Sequence, residues 1–424
     1  MDKSRILVDL GMISSTMIET DLRNPVQIRY QAILDHEIDG ALLKKSWDRT
    51  KRVYPLIDAV LYFEHGKEGE YPDIEAVHKY GEDHLLLVKA ASGINDPIHS
   101  KIPVRPMTDA TGGRLIGVNY YDRTVSISSF HILTDGSGIN MIFSTLLYCY
   151  LALYTGHEDE LPPVELREGR SVEQYYNASF INTVYEADYT PMPLYTLPLG
   201  CRGFIDRDMV NDENIYIGSL HVPADEFIHY CKENGANPSS MICAFSAKAA
   251  YAINPNTKED VVLALTMALK QMFGLEETIS NAVRMSLAYA TYEDVTGKPI
   301  SESAQKIRRD TGMQRTKDYI VSFCRVFETY QYQPKIRPRV VTYIGKFDIG
   351  DNTSHVVDFN METNGHYVVY MIQLRSEFVF IVQYGKATDK YLNEFNRIFH
   401  EAGIRSTVSS PTHKVEKDVP RPVL

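Results

Sequence analysis

The fold of this 424-residue chain is decided by residues 114–154, RLIGVNYYDRTVSISSFHILTDGSGINMIFSTLLYCYLALY. Apolar and polar residues alternate over 114–119 and over 124–131, which predicts two strands joined by a short turn. From 139 to 154 the apolar residues recur at a spacing of three and four, which predicts a buried helix. The heptapeptide FHILTDG therefore joins a strand to a long core helix.

The overall composition is that of a globular protein. Hydrophobic residues make up 44% and charged residues 23% of the chain, which excludes disordered, collagen-like and coiled-coil classes. The formal net charge is −11, from 44 Lys and Arg against 55 Asp and Glu. An acidic surface argues against nucleic acid as a partner of the whole molecule.

The cysteines predict neither a structural zinc site nor a disulfide framework. The chain has five, an odd number with no CxxC pair, and this usage fits a reducing compartment. No signal peptide is visible at the N-terminus. The apolar run 139–154 is shorter than the roughly 20 residues that cross a bilayer. We expect a cytoplasmic, soluble protein with no membrane span and no metal.

Strand-like and helix-like segments alternate along the chain, which indicates an α/β (α+β) protein. Residues 155–215 are rich in turn formers and predict a crossover between two halves. The polar tail after Arg405 is expected to be loose. The pattern predicts helices at 39–53, 224–234, 238–252, 302–329 and 390–402, strands at 58–63, 84–90, 215–222, 261–269, 282–290 and 339–345, and a hairpin at 367–384.

His131, Asp135 and Gly136 are the candidate catalytic residues. A neutral imidazole can accept a proton near pH 7, as a general base for an alcohol or amine must. Asp135 would hold the loop in shape, and Gly136 would adopt a backbone angle that other residues avoid. A purely structural interpretation stands beside this one: Asp135 caps the helix, Gly136 serves the turn, and His131 is a core histidine.

The strand–HxxxDG–helix arrangement resembles the acyltransferase superfamily of chloramphenicol acetyltransferase, with its alcohol O-acetyltransferases and peptide-synthetase condensation domains. Phe130 replaces the first histidine of their HHxxxDG signature, which counts against a standard amide-forming condensation domain. The resemblance extends from about residue 20 to 403. It includes, more weakly, the stretches TKRVYPL at 50–56, ENGANPSS at 233–240, SNAV at 280–283 and YIGKFD at 343–348.

The resemblance implies a monomer of two lobes, 1–180 and 181–424, each a mixed sheet flanked by helices, with an active-site tunnel between them. It implies that His131 deprotonates an acceptor, which attacks the thioester of acyl-CoA. Asp135 is structural in that superfamily and pairs with an arginine, for which Arg29 and Arg284 are the candidates here. No metal is required.

Other residues are weaker candidates for contacts with acyl-CoA. Tyr343 and Gly345 lie where the superfamily approaches this co-substrate. Thr342 and Tyr343 are candidate donors to the oxyanion, and both are also ordinary strand residues. One basic group could contact the phosphates of CoA or be a solvated strand face: Lys335, Arg337 and Arg339. A second basic group could bind an acidic acyl carrier protein or be the solvated face of a helix: Lys44, Lys45, Arg49, Lys51 and Arg52.

The resulting functional hypothesis is transfer of an acetyl or short acyl group from acyl-CoA to a hydroxyl, or amine, of a small molecule. One alternative is a condensation-like enzyme of secondary metabolism or lipid assembly with a carrier-bound donor. Another is a non-catalytic binding platform of the same fold. The joint presence of His131, Asp135 and Gly136 favours an enzyme.

Overall fold

The computed structural model describes residues 5–7, 27–63, 85–89, 95–131, 133–157, 183–184, 186–201, 203–204, 214–327, 338–363 and 367–415. Their strands form three sheets. The strands are β1 Arg5–Leu7, β2 Gln27–Leu34, β3 Ala59–Phe63, β4 Leu85–Lys89, β5 Ile98–His99, β6 Ile116–Tyr121, β7 Thr124–Phe130, β8 Tyr216–Pro223, β9 Val261–Ala268, β10 Val283–Ala290, β11 Arg339–Phe347, β12 Val356–Thr363, β13 Val368–Leu374, β14 Glu377–Tyr384 and β15 Thr407–Lys414.

The α-helices of these residues lie between and outside the sheets. They are α1 Gly40–Val53, α2 Gly136–Thr155, α3 Ala224–Glu233, α4 Pro238–Ile253, α5 Tyr292–Thr296, α6 Ile300–Met313, α7 Lys317–Phe327 and α8 Lys390–Glu401.

Two larger sheets dominate the molecule. One has five strands in the order β12-β2-β7-β6-β5, and the other has seven in the order β10-β9-β11-β13-β14-β8-β15. Each mixes antiparallel pairs with parallel ones, namely β5–β6 in the first and β9–β11–β13 in the second. Two mixed sheets flanked by helices confirm the predicted α/β (α+β) class.

Strand β12 belongs to the five-stranded sheet although its neighbours in sequence, β11 and β13, belong to the seven-stranded one. It pairs antiparallel with β2, so that Met361 lies opposite Tyr30. The predicted lobe boundary at 180 falls outside the described residues and stays a prediction.

Helix α2 joins the two sheets through a common core. Thirteen of its 20 residues are buried, and its apolar cluster includes Ile127 of β7 as well as Ile372 and Ile381 of the larger sheet. By length and composition α2 could cross a membrane, but 72% of its most apolar 18-residue window is buried inside the protein. That burial is what a core helix requires.

The sequence pattern predicted most of the longer elements to within a few residues but missed the short β1, β5 and α5, and three further differences are informative. The region 302–329 contains two helices, α6 and α7, rather than one. The described part of the tail after Arg405 is not loose, because Thr407–Lys414 form β15, which hydrogen-bonds to the edge of β8. Its residues are polar because the strand is largely exposed. Strands β2 and β12 were not predicted, since their pairing joins segments more than 300 residues apart.

His221 on β8 links the two sheets by hydrogen bonds to two carboxylates. Its Nε2 lies 3.1 Å from Asp358 Oδ1 on β12, and its Nδ1 lies 2.9 Å from Glu377 Oε2 on β14. Burial lowers the pKa of His221, but the bonds to Asp358 and Glu377 outweigh it, so that the pKa is raised. The protonated form is therefore favoured in the folded protein.

We predict that His221 stabilises the protein more at pH 6 than at pH 8.5. A pKa raised by folding gives stability that is fully present below the unfolded value near 6.5 and is lost as pH rises through the folded value. Urea unfolding should show a larger gap between wild type and His221→Gln at pH 6 than at pH 8.5. His229→Gln, at an exposed helical pair with Glu233, is the control and should show little change at either pH. An equal gap for His221→Gln at both pH values would contradict this role.

Candidate active site

His131 follows directly after the last residue of β7, on the turn that leads into α2. Phe130, the residue that replaces the first histidine of the signature, is fully buried in the core. The predicted strand 124–131 is therefore one residue too long, because the pairing of β7 with β2 ends at Phe130. The residue His131 as a whole is partly buried, while its imidazole is desolvated enough for burial to dominate its pKa.

Asp135 is the N-cap of α2, as the structural interpretation expected. Its Oδ1 accepts hydrogen bonds from the backbone N–H of Gly138 at 2.9 Å and from the Ser137 hydroxyl at 2.7 Å. Its Oδ2 accepts from the N–H of Ala282 at 2.9 Å. The carboxylate thus joins the first turn of α2 to the segment before β10.

The cation that pairs with Asp135 is Lys270, and the prediction of Arg29 or Arg284 is wrong. Lys270 Nζ lies 2.9 Å from Asp135 Oδ1, and the two residues are only 3% and 1% exposed. Arg29 is instead paired with Glu362 of β12 and donates to Ser128 Oγ. Both candidate arginines lie on strands, whereas Lys270 lies in the tight turn that follows β9.

Arg284 makes a different contact from the one predicted. Its guanidinium carbon lies 3.0 Å from the centre of the Phe323 ring, so the cation stacks on an aromatic face of α7. The sequence carried one signal for Lys270: a lysine placed two residues after the apolar strand VVLALTMA. A lysine in such surroundings is rarely buried unless it is paired.

The contacts of Asp135 keep it ionised. Burial raises the pKa of its carboxyl, but the Lys270 ammonium, the Ser137 hydroxyl and the N–H groups of Ala282 and Gly138 outweigh this, and the pKa is lowered. An ionised carboxylate with these partners cannot also serve as a proton acceptor for a substrate. Asp135 is therefore a positioning group in this structure.

Asn281 is the side chain that contacts His131. Its Nδ2 donates to the backbone carbonyl of His131 at 2.9 Å and lies 3.2 Å from the ring Nδ1. The neighbouring residue Ala282 is the one held by Asp135. Asp135 thus fixes the backbone that places Asn281 against His131. The SNAV stretch marked this segment in the sequence, without indicating the contact.

Burial lowers the pKa of His131 below its usual value of 6.5, outweighing the carbonyls of His131 and Thr134 and the Asp135 charge, which raise it. The imidazole is therefore neutral at pH 7, the state that a general base requires.

Gly136 does not have the unusual backbone angle that was expected of it, because its φ is not positive. Its carbonyl accepts a hydrogen bond from the buried Tyr30 hydroxyl at 2.8 Å. A Cβ at this position would lie 3.2 Å from that hydroxyl and from Ile344 Cδ1, so close packing explains the glycine. Gly138 is more constrained, since a Cβ there would collide with the Ile279 carbonyl and with Thr134 Oγ1.

Tyr343 and Gly345 lie at a bulge in β11, between two registers of its pairing with β13. Gly345 has φ +99° and open space where a side chain would stand. Tyr343 is 38% exposed, and its ring packs edge-on against Phe378. Ile344 between them approaches Gly136, which brings the bulge to the start of α2. Thr342 is partly buried. Their contacts with acyl-CoA remain predictions.

Of the three basic residues near β11, Arg339 does not belong to the predicted phosphate-binding or solvated face. Arg339 is 2% exposed, with its guanidinium carbon 4.5 Å from the centre of the Tyr367 ring and an Nη2 bond to Tyr391 at 3.0 Å. A buried, enclosed arginine offers nothing to a phosphate. Lys335 and Arg337 lie outside the described residues.

The basic residues of α1 lie on a helix whose buried side packs Leu43 and Trp47 into the core. Lys44 is paired with Asp96, and Lys51 Nζ lies 2.9 Å from Asp48. This arrangement fits the outer face of an amphipathic helix. A cavity of about 570 Å³ lies elsewhere, between α4, α5 and α8, and none of the predicted site residues lines it.

We predict that Lys270→Met destabilises the protein by about 3–5 kcal/mol, because it leaves the Asp135 charge buried without a counterion. Urea unfolding measures the loss. Asp135→Asn combined with Lys270→Met should lose less than the sum of the single changes. Lys298→Met, which breaks an exposed pair with Asp294, is the control and should change the midpoint little. A midpoint for Lys270→Met equal to that of the control would refute the argument.

No protein-family model and no curated protein matches the sequence. Solved structures do match its fold. TRI101 from F. graminearum, solved with coenzyme A and T-2 mycotoxin, is 9% identical, with a TM-score of 0.58 over 96% of this chain and 99% of that one. Polyketide synthase associated protein 5 from Mycobacterium tuberculosis is 13% identical, with a TM-score of 0.56 over 88% and 93%.

The first condensation domain of the CDA synthetase is 12% identical, with a TM-score of 0.57 over 89% of this chain and 90% of that one. At such identities the likeness shows the fold alone. This chain has the two-lobed fold of the chloramphenicol acetyltransferase-like acyltransferases and condensation domains.

Proposed function

We propose that this protein transfers an acetyl or short acyl group from acyl-CoA to a hydroxyl or amine of a small molecule, with His131 as general base. The observation that carries the proposal is the fixed, neutral imidazole at the start of α2. Asn281 holds His131 from one side, and the buried Asp135–Lys270 pair holds the segment that carries Asn281. Such support is more than a core histidine needs.

Because Asn281 Nδ2 can only donate, His131 acts as a base when its Nδ1 carries the ring proton, directed at a backbone carbonyl, and Asn281 bonds to the His131 carbonyl. In the proposed reaction the acceptor oxygen or nitrogen then gives its proton to the unprotonated Nε2 of His131. The acceptor's electron pair attacks the thioester carbonyl carbon and forms a tetrahedral oxyanion. Collapse of this species breaks the carbon–sulfur bond. The proton on His131 then passes to the departing thiolate, so that the products are the acylated acceptor and free coenzyme A.

The bulge of β11 is the part of the chain that we assign to the thioester. Gly345 leaves open space beside the strand, and Ile344 brings that strand to Gly136. Tyr343 and Thr342 supply hydroxyl groups within the same segment, where a hydrogen bond to the oxyanion would lower the barrier. Coenzyme A in the TRI101 structure supports this choice of co-substrate.

A carrier-bound acyl donor is the second candidate, supported by the likeness to the condensation domain of the CDA synthetase. The exposed lysines of α1 would be the docking side for an acidic carrier protein. Phe130 weighs against amide formation of the standard condensation type, since it places a fully buried phenyl ring where the signature has a histidine.

We predict that His131→Ala lowers acyl transfer by at least 100-fold while leaving the fold intact, because general-base catalysis contributes roughly 10²–10⁴ in rate. The measurement is release of free thiol from acetyl-CoA in the presence of a panel of alcohols and amines. His229→Ala, on the exposed face of α3, is the matched control and should retain full activity. Full activity in His131→Ala, with circular dichroism matching wild type, would disprove the assignment.

The donor is identified with the same acceptor panel. Acceptor-dependent thiol release from acetyl-CoA supports the CoA-dependent enzyme. Transfer only from an acylated carrier protein, again abolished by His131→Ala, supports the condensation-like alternative. Absence of transfer from both donors, with the panel exhausted, would support the non-catalytic binding platform.

A further inference from the structure

Asp35, His36 and His355 meet at one corner of the five-stranded sheet, where β2 ends and β12 begins. Asp35 and His36 follow directly after β2, and His355 closes the short 3-10 turn before β12. The N–H of Asp35 donates to the carbonyl of His355 at 3.0 Å. The pairing of β2 with β12 thus holds together side chains from two distant parts of the chain.

Both imidazoles face the same carboxylate. His36 Nδ1 lies 2.6 Å from Asp35 Oδ1, and His355 Nδ1 lies 2.9 Å from Asp35 Oδ2. The potential ligand atoms of the three residues all lie within 4.8 Å of one another. The side chains are 13%, 29% and 43% exposed for His36, His355 and Asp35, respectively. The cluster is therefore open to an ion from solvent yet partly enclosed.

The ring of His36 is held by its surroundings. It stacks on Tyr154 with ring centres 3.7 Å apart and planes 5° from parallel. Its Nε2 lies 3.4 Å from the Tyr150 hydroxyl, whose oxygen accepts from the N–H of Asp39. Histidines that bind metals through one nitrogen donate the other N–H to a fixed acceptor. Tyr150 is positioned to be that acceptor.

We propose that Asp35, His36 and His355 bind one divalent zinc ion through a carboxylate oxygen and the two Nδ1 atoms, with water as the fourth ligand. Two imidazoles and a carboxylate are a donor set that zinc accepts in tetrahedral geometry. Ligand atoms in such a site lie roughly 3.3 Å apart, so the two carboxylate–imidazole contacts of 2.6 and 2.9 Å need to open, while the two imidazole nitrogens already lie within 4.8 Å of each other. A proton on Nδ1 of either imidazole moves to Nε2 through water, so that in that ring one N–H bond breaks, another forms, and the net charge is unchanged.

This site is separate from the proposed acyl-transfer residues. Tyr150 and Tyr154 belong to the last turns of α2, whereas Gly136 begins it. A helix of 20 residues is about 30 Å long, so the ion would bind at the opposite end from His131. Its role would be structural: an ion that binds only the folded chain stabilises it, here by holding β2 and β12 together. The proposal does not depend on the proposed function.

The test uses the full chain, free of any histidine tag and dialysed against chelator. Zinc is titrated against a chromophoric chelator of known affinity. We expect one equivalent to bind wild type with micromolar affinity, and His36→Gln and His355→Gln to bind at least tenfold more weakly. His229→Gln, which removes an exposed histidine, should bind as wild type does. Zinc should raise the melting temperature of wild type but not of the two cluster variants.

Absence of saturable zinc binding by wild type overturns the proposal, as does unchanged affinity in His36→Gln and His355→Gln. Circular dichroism without zinc establishes that the variants are folded. If a histidine variant does not fold, Asp35→Asn replaces it, since the amide keeps the shape of the carboxylate and removes its charge. Equal zinc affinity in Asp35→Asn and wild type then also refutes the site.

Discussion

The buried charge of Asp135 is the constraint on which the candidate site depends. A carboxylate that is 1% exposed is tolerated only when cations and N–H or O–H donors replace the water it has lost. Here the donors come from three places: the first turn of α2, the turn after β9, and the segment before β10. Meeting the needs of one carboxylate therefore fixes three elements relative to one another, and Asn281 and His131 with them.

The two larger sheets are joined by a common core, by the course of the chain and by hydrogen bonds. Helix α2 contributes to a core built from both sheets. Strand β12 pairs with β2 in the five-stranded sheet, although β11 and β13 belong to the seven-stranded sheet. His221 forms hydrogen bonds to carboxylates on both sheets. The corner formed by Asp35, His36 and His355 lies where β2 ends and β12 begins. The two larger sheets are therefore joined in several places.

Local patterns in the sequence were enough for β6, β7 and α2, since alternation and helical spacing are set by which face is buried. Patterns failed where pairing is long-range. Strands β2 and β12 depend on each other, and β15 forms only because β8 offers an edge. The superfamily resemblance placed His131 and Asp135 on the correct turn, but not the partner of Asp135. Lys270 and Arg339 are both buried, and their partners, Asp135 and Tyr391, are distant in sequence, so a local sequence pattern cannot predict these contacts.

The position of β12 has a consequence for how the chain is made. The five-stranded sheet lacks this strand until the ribosome has passed residue 363, long after β2 and β7 have emerged. At about 5–20 residues per second, that interval lasts some tens of seconds. During it, β2 presents an unpaired edge, of the kind that invites association with other chains, and the apolar α2 lacks the part of its core that the larger sheet contributes. The β2 edge of the nascent chain is therefore open to association with other chains until residue 363 has been synthesised.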